Sequence, residues 1–87
     1  MDREYLKDVH PEVIMLEPEG LDVAILGLID DDDKPRLLYS MKGLIAALQT
    51  INEGWGYEEA LEWYDFNIRS AYVGPNTPVY LELEWGD

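Results

Sequence analysis

The stretch that decides the fold runs from Gly56 to Pro78 and reads GYEEALEWYDFNIRSAYVGPNTP. Apolar residues recur at helical spacing through its first part, which predicts a helix of about four turns. The segment Gly74–Pro78 is rich in glycine and proline, so it cannot continue that helix and predicts a turn. The stretch therefore leads from a helix, through a turn, into a last strand.

The helix predicted in this stretch has an inward and an outward face. The residues expected to face the core are Tyr57, Leu61, Tyr64, Ile68 and either Ala71 or Tyr72. The solvent face is expected to consist of Glu58, Glu62, Asp65 and Arg69. Trp63 and Phe66 lie off the inward stripe, so they either widen the buried face or stand exposed.

A second helix is predicted directly upstream. Ser40 is a suitable N-cap, because its hydroxyl can accept a hydrogen bond from a free amide of the first turn. Gly54 suits the left-handed conformation that often follows a helix end. The apolar stripe of this helix comprises Met41, Leu44, Ile45, Leu48 and Ile51. Its small residues, among them Gly43, allow a neighbouring element to approach closely.

Three segments read as strands. The nearly continuous apolar segment Asp22–Ile29 predicts a strand that is covered on both faces or lies centrally in the sheet, with a bulge or a close backbone approach at Gly27. The polar segment Asp30–Pro35 predicts a loop, and Arg36–Tyr39 a second strand that forms an antiparallel hairpin with the first. The last strand alternates with period two: Val79, Leu81, Leu83 and Trp85 are expected to be buried, and Tyr80, Glu82 and Glu84 to face water.

These elements predict an α+β fold in the order β-β-α-α-β. The simplest packing is a small two-layer sandwich with a mainly antiparallel sheet and both helices on one face. The 87 residues are enough for one domain, residues 1–87, in which residues 1–12 are expected to be loosely ordered.

Composition excludes several classes of function. The chain has 19 acidic and 6 basic residues and a formal net charge of −13, which repels nucleic acid and anionic membranes and favours basic partners. It has no cysteine, so thiolate metal sites and cysteine nucleophiles are excluded. Its longest apolar run, Val23–Ile29, is far below the roughly 20 residues that a membrane span needs. The N-terminal residues are charged and do not resemble a signal peptide, so we expect a cytoplasmic protein, of the host cell if the chain is viral.

Part of the chain resembles small, functionally uncharacterised proteins encoded in phage and prophage genomes. The resemblance rests on Tyr39, the helix Tyr57–Trp63 (YEEALEW), an internal Asn67, the turn Ala71–Gly74 (AYVG) and Thr77-Pro78. It covers roughly half of the chain and leaves out the N-terminal segment and the aspartate loop. It implies a viral or mobile-element origin, and it carries no catalytic residue with it.

No motif predicts catalysis, a cofactor or a metal site. The only histidine, His10, stands beside a proline in a polar stretch. The adjacent carboxylates of Asp30, Asp31, Asp32 and Asp33 cannot all point at one ion, and they lack the spacing of a calcium-binding loop. Asn67 is the most interesting polar residue. We expect it to be at least half buried, either tying its helix to the following turn or strand or facing a ligand or partner.

The leading hypothesis is a non-enzymatic acidic accessory protein of phage type that binds a host or viral protein. Surplus aromatic residues mark its interaction site, since aromatic residues dominate interface hot spots. The candidate interaction residues are Trp55, Tyr57, Trp63, Phe66, Asn67 and Tyr72.

Two alternatives stay open. A nucleic-acid mimic would occupy a basic DNA- or RNA-binding groove, and it requires one continuous acidic surface made of Glu58, Glu62, Asp65, Glu82, Glu84 and the loop Asp30–Asp33. A structural or ligand-sequestering protein would self-associate, for example as a homodimer paired through the edge strand Val79–Trp85.

Overall fold

The computed structural model describes residues 3–31 and 34–82. The elements are α1 (Arg3–Val9), a 3₁₀ helix (Glu19–Ala24), β1 (Ile25–Asp31), β2 (Lys34–Ser40), α2 (Met41–Ile51), α3 (Tyr57–Tyr64), a π-helical turn (Asp65–Arg69) and β3 (Val79–Leu81). The α+β class is confirmed, and so is the order of two strands, two helices and a strand, which α1 and the 3₁₀ helix precede.

The three strands form one mixed sheet in the order β1-β2-β3. β1 pairs antiparallel with β2 from Ile25 opposite Tyr39 to Asp31 opposite Lys34, and a bulge lies between Ile25 and Gly27. β3 pairs parallel with β2 over only three residues, beginning at Val79. The antiparallel pairing is therefore the longer one, and β3 is parallel because α2 and α3 carry the chain back before it re-enters the sheet.

The first strand begins later than predicted, and it is neither central in the sheet nor covered on both faces. The segment before Ile25 is a 3₁₀ helix, which buries Leu21 and Ala24 and leaves Val23 81% exposed. β1 itself lies at an edge of the sheet, with Leu26 52% exposed. An apolar run of this length fits a short helix as well as a strand, so composition alone could not separate the two. The strands also extend into the predicted loop: β1 continues through Asp30 and Asp31, and β2 already begins at Lys34 and includes Pro35.

The core lies between one face of the sheet and the helices. Leu37 and Tyr39 of β2 are fully buried, and they share one face because strand side chains alternate. Tyr80 of β3 lies beside them: its ring centroid is 6.3 Å from that of Tyr39 and 5.8 Å from that of Tyr64 on α3. The other buried apolar residues of this cluster are Leu6, Leu21, Ala24, Leu44, Ile45, Ala47, Leu48, Ala60 and Ile68.

This packing reverses the predicted faces of Tyr80 and Leu81 in the last strand, whereas Glu82 is exposed as predicted. Tyr80, expected to face water, contacts the core, whereas Leu81, expected to be buried, is 38% exposed. The pairing of Tyr80 with Tyr39 puts both residues on the helix-covered face of the sheet. Leu83, Glu84 and Trp85 lie outside the described residues.

The helix ends follow local chemistry. The Ser40 hydroxyl accepts a hydrogen bond from the amide of Gly43 at 3.0 Å, which confirms the predicted N-cap. Gly54 has a φ of 92°, the left-handed conformation predicted after α2. The close approach predicted at the small residues of α2 is also confirmed, because a Cβ on Gly43 would lie 3.0 Å from the Cβ of Ala24.

The inward face of α3 is narrower than predicted. Ala60, Tyr64 and Ile68 are buried, whereas Tyr57 is 56% and Tyr72 is 77% exposed. The predicted stripe assumed one regular helix up to Tyr72, but the helical segment widens into a π-turn and ends at Arg69. Among residues 3–31 and 34–82, none of the helices has the length and apolar character needed to cross a bilayer.

Candidate aromatic groove on helix α3

A surface groove of about 370 Å³ lies along α3 and the π-turn. It is lined by Trp55, Glu59, Glu62, Trp63, Phe66 and Asn67. Four of the six interaction residues predicted from the sequence therefore meet in one place. The other two, Tyr57 and Tyr72, are exposed but do not line it.

Helical spacing brings most of these side chains together. Glu62 and Trp63 lie three and four positions after Glu59, and Phe66 and Asn67 extend the same series by another turn. Residues at this spacing are neighbours on a helix surface. Trp55 enters from the link that precedes α3, where its amide donates a hydrogen bond to the Asn52 carbonyl at 3.0 Å.

The aromatic side chains differ in exposure. Trp55 and Trp63 are half-buried and pack against the core, which fixes their positions. Phe66 is 78% exposed. Exposing a phenylalanine ring to water forfeits roughly 1.5–3 kcal/mol relative to burying it, so this ring would gain most if a partner covered it.

Asn67 was expected to be at least half buried, and that expectation was wrong. It is exposed, and its side-chain amide donates to the carbonyl of Trp63 within the same helical segment, at 3.1 Å. The regular spacing that put it beside Ala60 and Tyr64 does not persist through the π-turn. π-turns often lie at functional sites. Here the turn carries Phe66 and Asn67, both of which line the groove.

The charged side chains that line the groove are both carboxylates. Glu59 accepts a hydrogen bond from the amide of Gly56 at 3.1 Å, which is half of a capping box. Glu62 is exposed, and within the described part of the chain it makes no hydrogen bond or ion pair. The groove thus combines apolar rings with negative charge.

The nearest arginine on this segment is directed elsewhere. The Nε of Arg69 lies 2.8 Å from a Glu82 carboxylate oxygen, and its Nη1 lies 3.8 Å from Asp65. The hydroxyl of Tyr64 donates to the same carboxylate of Glu82 at 2.9 Å. Burial, reinforced by this bond, raises the pKa of Tyr64 above its ordinary value. The network ties the helical segment to Glu82, the residue that follows β3.

The remaining acidic candidates are spread over several elements. Glu58 and Asp65 are exposed on the helical segment, and Asp30 is exposed on β1. The side chains of Asp31, Asp32, Asp33 and Glu84 lie outside the described residues. Among residues 3–31 and 34–82, no group of three or more histidine, cysteine or acidic residues is arranged to hold a metal ion.

Glu59 is the groove residue that the sequence reasoning missed. A glutamate in the first helical turn interacts favourably with the helix dipole, and that role alone does not indicate a binding groove. The signal that would have found it is its spacing, four residues after Trp55 and four before Trp63.

A second groove, of about 430 Å³, lies between the 3₁₀ helix and α2. Its lining consists of Gly20, Val23, Gly43, Ala46, Ala47, Thr50 and Ile51. This lining carries no charged side chain, and the hydroxyl of Thr50 already donates to the Ala46 carbonyl at 3.1 Å. Charged or free hydrogen-bonding groups are what fix the orientation of a bound ligand. The groove on α3 is therefore the better candidate site.

Comparison with protein-family models, with curated proteins and with solved structures found no match to this chain.

Proposed function

We propose that this chain is a non-enzymatic, acidic accessory protein of phage type, whose groove on α3 binds a segment of a host or viral protein. The segment combines an apolar side chain with positive charge. The observation that carries the proposal is the gathering of Trp55, Trp63 and Phe66 around one groove whose charged lining residues are Glu59 and Glu62. The resemblance to phage-encoded proteins stays a prediction.

The aromatic lining supplies affinity. Tryptophan is among the residues most enriched in interface hot spots, and such residues act best when their surroundings already hold them in place. Trp55 and Trp63 pack against the core on one side and line the groove on the other. A partner that covers Phe66 removes apolar surface from water without rearranging the core.

The negative charge makes the chain selective for basic partners and speeds their encounter with it. A formal net charge of −13 creates a negative field around the whole molecule. Such a field accelerates encounter with a positively charged partner and disfavours acidic ones. The lining carboxylates extend the same preference to the contact itself.

The alternative of nucleic-acid mimicry requires an unbroken acidic surface. Glu58, Glu62 and Asp65 share the exposed side of the helical segment by their spacing. Arg69, however, lies against Glu82 and near Asp65, so a cation interrupts the row at that point. This contact favours the aromatic groove over mimicry.

The experiment titrates the ¹⁵N-labelled chain with a short synthetic peptide in which leucine alternates with arginine and lysine. We expect the indole signals of Trp55 and Trp63 to shift on binding. Phe66→Ser should weaken binding severalfold, because it removes an exposed ring of the groove. Tyr72→Ser is the matched control: this side chain is as exposed as Phe66 but lies outside the groove.

Two further peptides separate the contribution of the apolar side chain from that of the positive charge. Replacing leucine by serine should abolish the indole shifts, and replacing the basic residues by glutamate should do the same. Binding that is equally strong to Phe66→Ser and is lost at high salt would contradict the proposal in favour of mimicry. Unmoved indole signals with every peptide would also contradict it.

A further inference from the structure

We propose that the groove on α3 recognises an arginine side chain of its partner, with the guanidinium held between the aromatic rings and the carboxylate of Glu62. This inference rests on the proposed function and specifies its ligand. The same six lining residues support it: three aromatic rings, two carboxylates and one carboxamide.

The first step is that the lining suits a cation. A cation gains from the face of an aromatic ring, and tryptophan is the best ring for this purpose. Within residues 3–31 and 34–82 the aromatic rings that contact one another are that of Tyr80 with those of Tyr39 and Tyr64, so the three groove rings do not stack on one another. Glu62, exposed beside these rings, provides the opposite charge.

The second step is that a guanidinium fits better than an ammonium ion. A guanidinium is planar and weakly hydrated, so it can stack on a ring and shed its water at less cost than a lysine ammonium. It also donates hydrogen bonds in a fork, and a carboxylate can accept two of them in parallel. The mostly apolar groove therefore favours the planar, weakly hydrated guanidinium over an ammonium ion.

The third step is that the groove offers a second acceptor. The side-chain nitrogen of Asn67 donates to the Trp63 carbonyl at 3.1 Å, so the oxygen of the same amide is the group left to accept from a ligand. A guanidinium has five N–H donors and can use both this oxygen and the Glu62 carboxylate.

The fourth step is that two of the lining side chains are oriented before any ligand arrives. The Asn67 bond orients its amide, and the bond to Gly56 at 3.1 Å orients the Glu59 carboxylate. The chain's own Arg69 is engaged by Glu82 at 2.8 Å and does not line the groove. A preorganised site loses less entropy when it binds.

The test uses capped single amino acids as probes: N-acetyl-arginine N-methylamide, its lysine counterpart and its citrulline counterpart. Citrulline has nearly the shape of arginine but no charge. We expect the arginine probe to shift the indole signals of Trp55 and Trp63 and to bind at least about threefold more tightly than the lysine probe. The citrulline probe should bind about tenfold more weakly than arginine, or not at all.

Matched variants locate the contact. Glu62→Gln should lower the affinity for the arginine probe about threefold to tenfold. Glu58→Gln removes the same charge from the same helix but lies outside the groove, so it should leave the affinity nearly unchanged. Equal losses in the two variants would mean that only the general negative field acts, and would overturn the inference.

The outcomes also separate this inference from the proposed function. If the leucine-containing basic peptide binds at the groove but the arginine and lysine probes bind equally, arginine recognition is wrong and the proposed function stands. Tetramethylammonium binding more tightly than the arginine probe would likewise overturn the guanidinium preference alone. If neither the peptide nor any probe moves the indole signals, both proposals fail.

Discussion

Tyr39 joins three parts of the molecule through a single side chain. Its ring is fully buried in the core and lies against Tyr80, and its hydroxyl accepts a hydrogen bond from the amide of Leu16 at 2.9 Å. The segment around Leu16 has no helix or strand of its own. The bond to Tyr39 therefore attaches an irregular segment to the central strand.

Replacing Tyr39 by phenylalanine should lower the free energy of unfolding by roughly 1 kcal/mol, because a partly buried amide loses its acceptor. Urea denaturation followed by circular dichroism measures the change. Tyr80→Phe is the control, since in the described part of the chain the Tyr80 hydroxyl makes no hydrogen bond. A loss at Tyr39 no larger than at Tyr80 would show that the bond contributes nothing to stability.

Three tyrosines make stability fall in alkaline solution. Burial raises the pKa of Tyr39 and Tyr64, and it raises the pKa of Tyr80 to about 12. Unfolded tyrosine ionises near pH 10, so above that pH the unfolded chain releases protons that the folded chain retains. The free energy of unfolding should therefore decrease as pH rises from about 10 towards about 12.

Urea midpoints at several pH values across this range measure how steeply the free energy of unfolding falls with pH. Tyr80→Phe should make the slope shallower, because one of the retained protons is gone. A slope no shallower in Tyr80→Phe than in the unsubstituted chain would refute the assignment to buried tyrosines.

At the scale of elements, Arg3 docks helix α1. Its guanidinium donates to both carboxylate oxygens of Asp22 at 2.8 and 2.9 Å, to Glu17 at 2.9 Å and to the Leu16 carbonyl at 3.0 Å. The side chains of Arg3 and Asp22 are only 12% and 15% exposed. Together with the buried Leu6, this contact fixes α1 against the 3₁₀ helix.

Arg3→Lys should cost about 2–3 kcal/mol of unfolding free energy, because one ammonium cannot satisfy the same set of acceptors and leaves buried oxygen atoms without donors. Arg69→Lys is the same substitution at a site 58% exposed, where a surface ion pair contributes only about 0–1 kcal/mol. Thermal and urea unfolding compare the two. Losses of similar size would contradict the docking role of Arg3.

The elements that could be predicted from the sequence are those set by nearby residues. The N-cap at Ser40 and the positive φ at Gly54 each depend on a few neighbouring positions, and both are confirmed. The start of β1 depends instead on how Leu21 and Ala24 pack beneath α2. The orientation of Tyr80 depends on pairing with β2, some forty residues earlier in the chain.

The candidate site likewise combines residues that local spacing predicts with residues that it does not. Helical spacing and the surplus of aromatic residues pointed to Trp55, Trp63 and Phe66, and these residues do meet in one groove. The exposure of Asn67 could not be predicted, because no simple residue pattern signals a π-turn. Glu59 was missed because a glutamate in the first helical turn is explained by the helix dipole alone, although its spacing puts it beside the rings.

At the scale of the whole molecule, net charge opposes folding. The chain measures 38 × 27 × 24 Å and carries a formal net charge of −13. In about 10 mM salt the Debye length is roughly 30 Å, so carboxylates repel one another across the entire molecule. At about 0.15 M it is roughly 8 Å, and only near neighbours still interact.

Raising sodium chloride from about 10 to 150 mM should therefore increase the free energy of unfolding, by an amount on the order of 1 kcal/mol. Salt also weakens the exposed Arg69–Glu82 pair, but the Arg3–Asp22 contact is largely buried and is screened less. Urea denaturation at the two salt concentrations measures the net effect of screening the repulsion and weakening the favourable ion pairs. Potassium chloride should act equally, because screening depends on ionic strength and not on the identity of the cation. A fall in stability would mean that favourable ion pairs outweigh the general repulsion, and the fast, field-driven encounter proposed for basic partners would lose its physical basis.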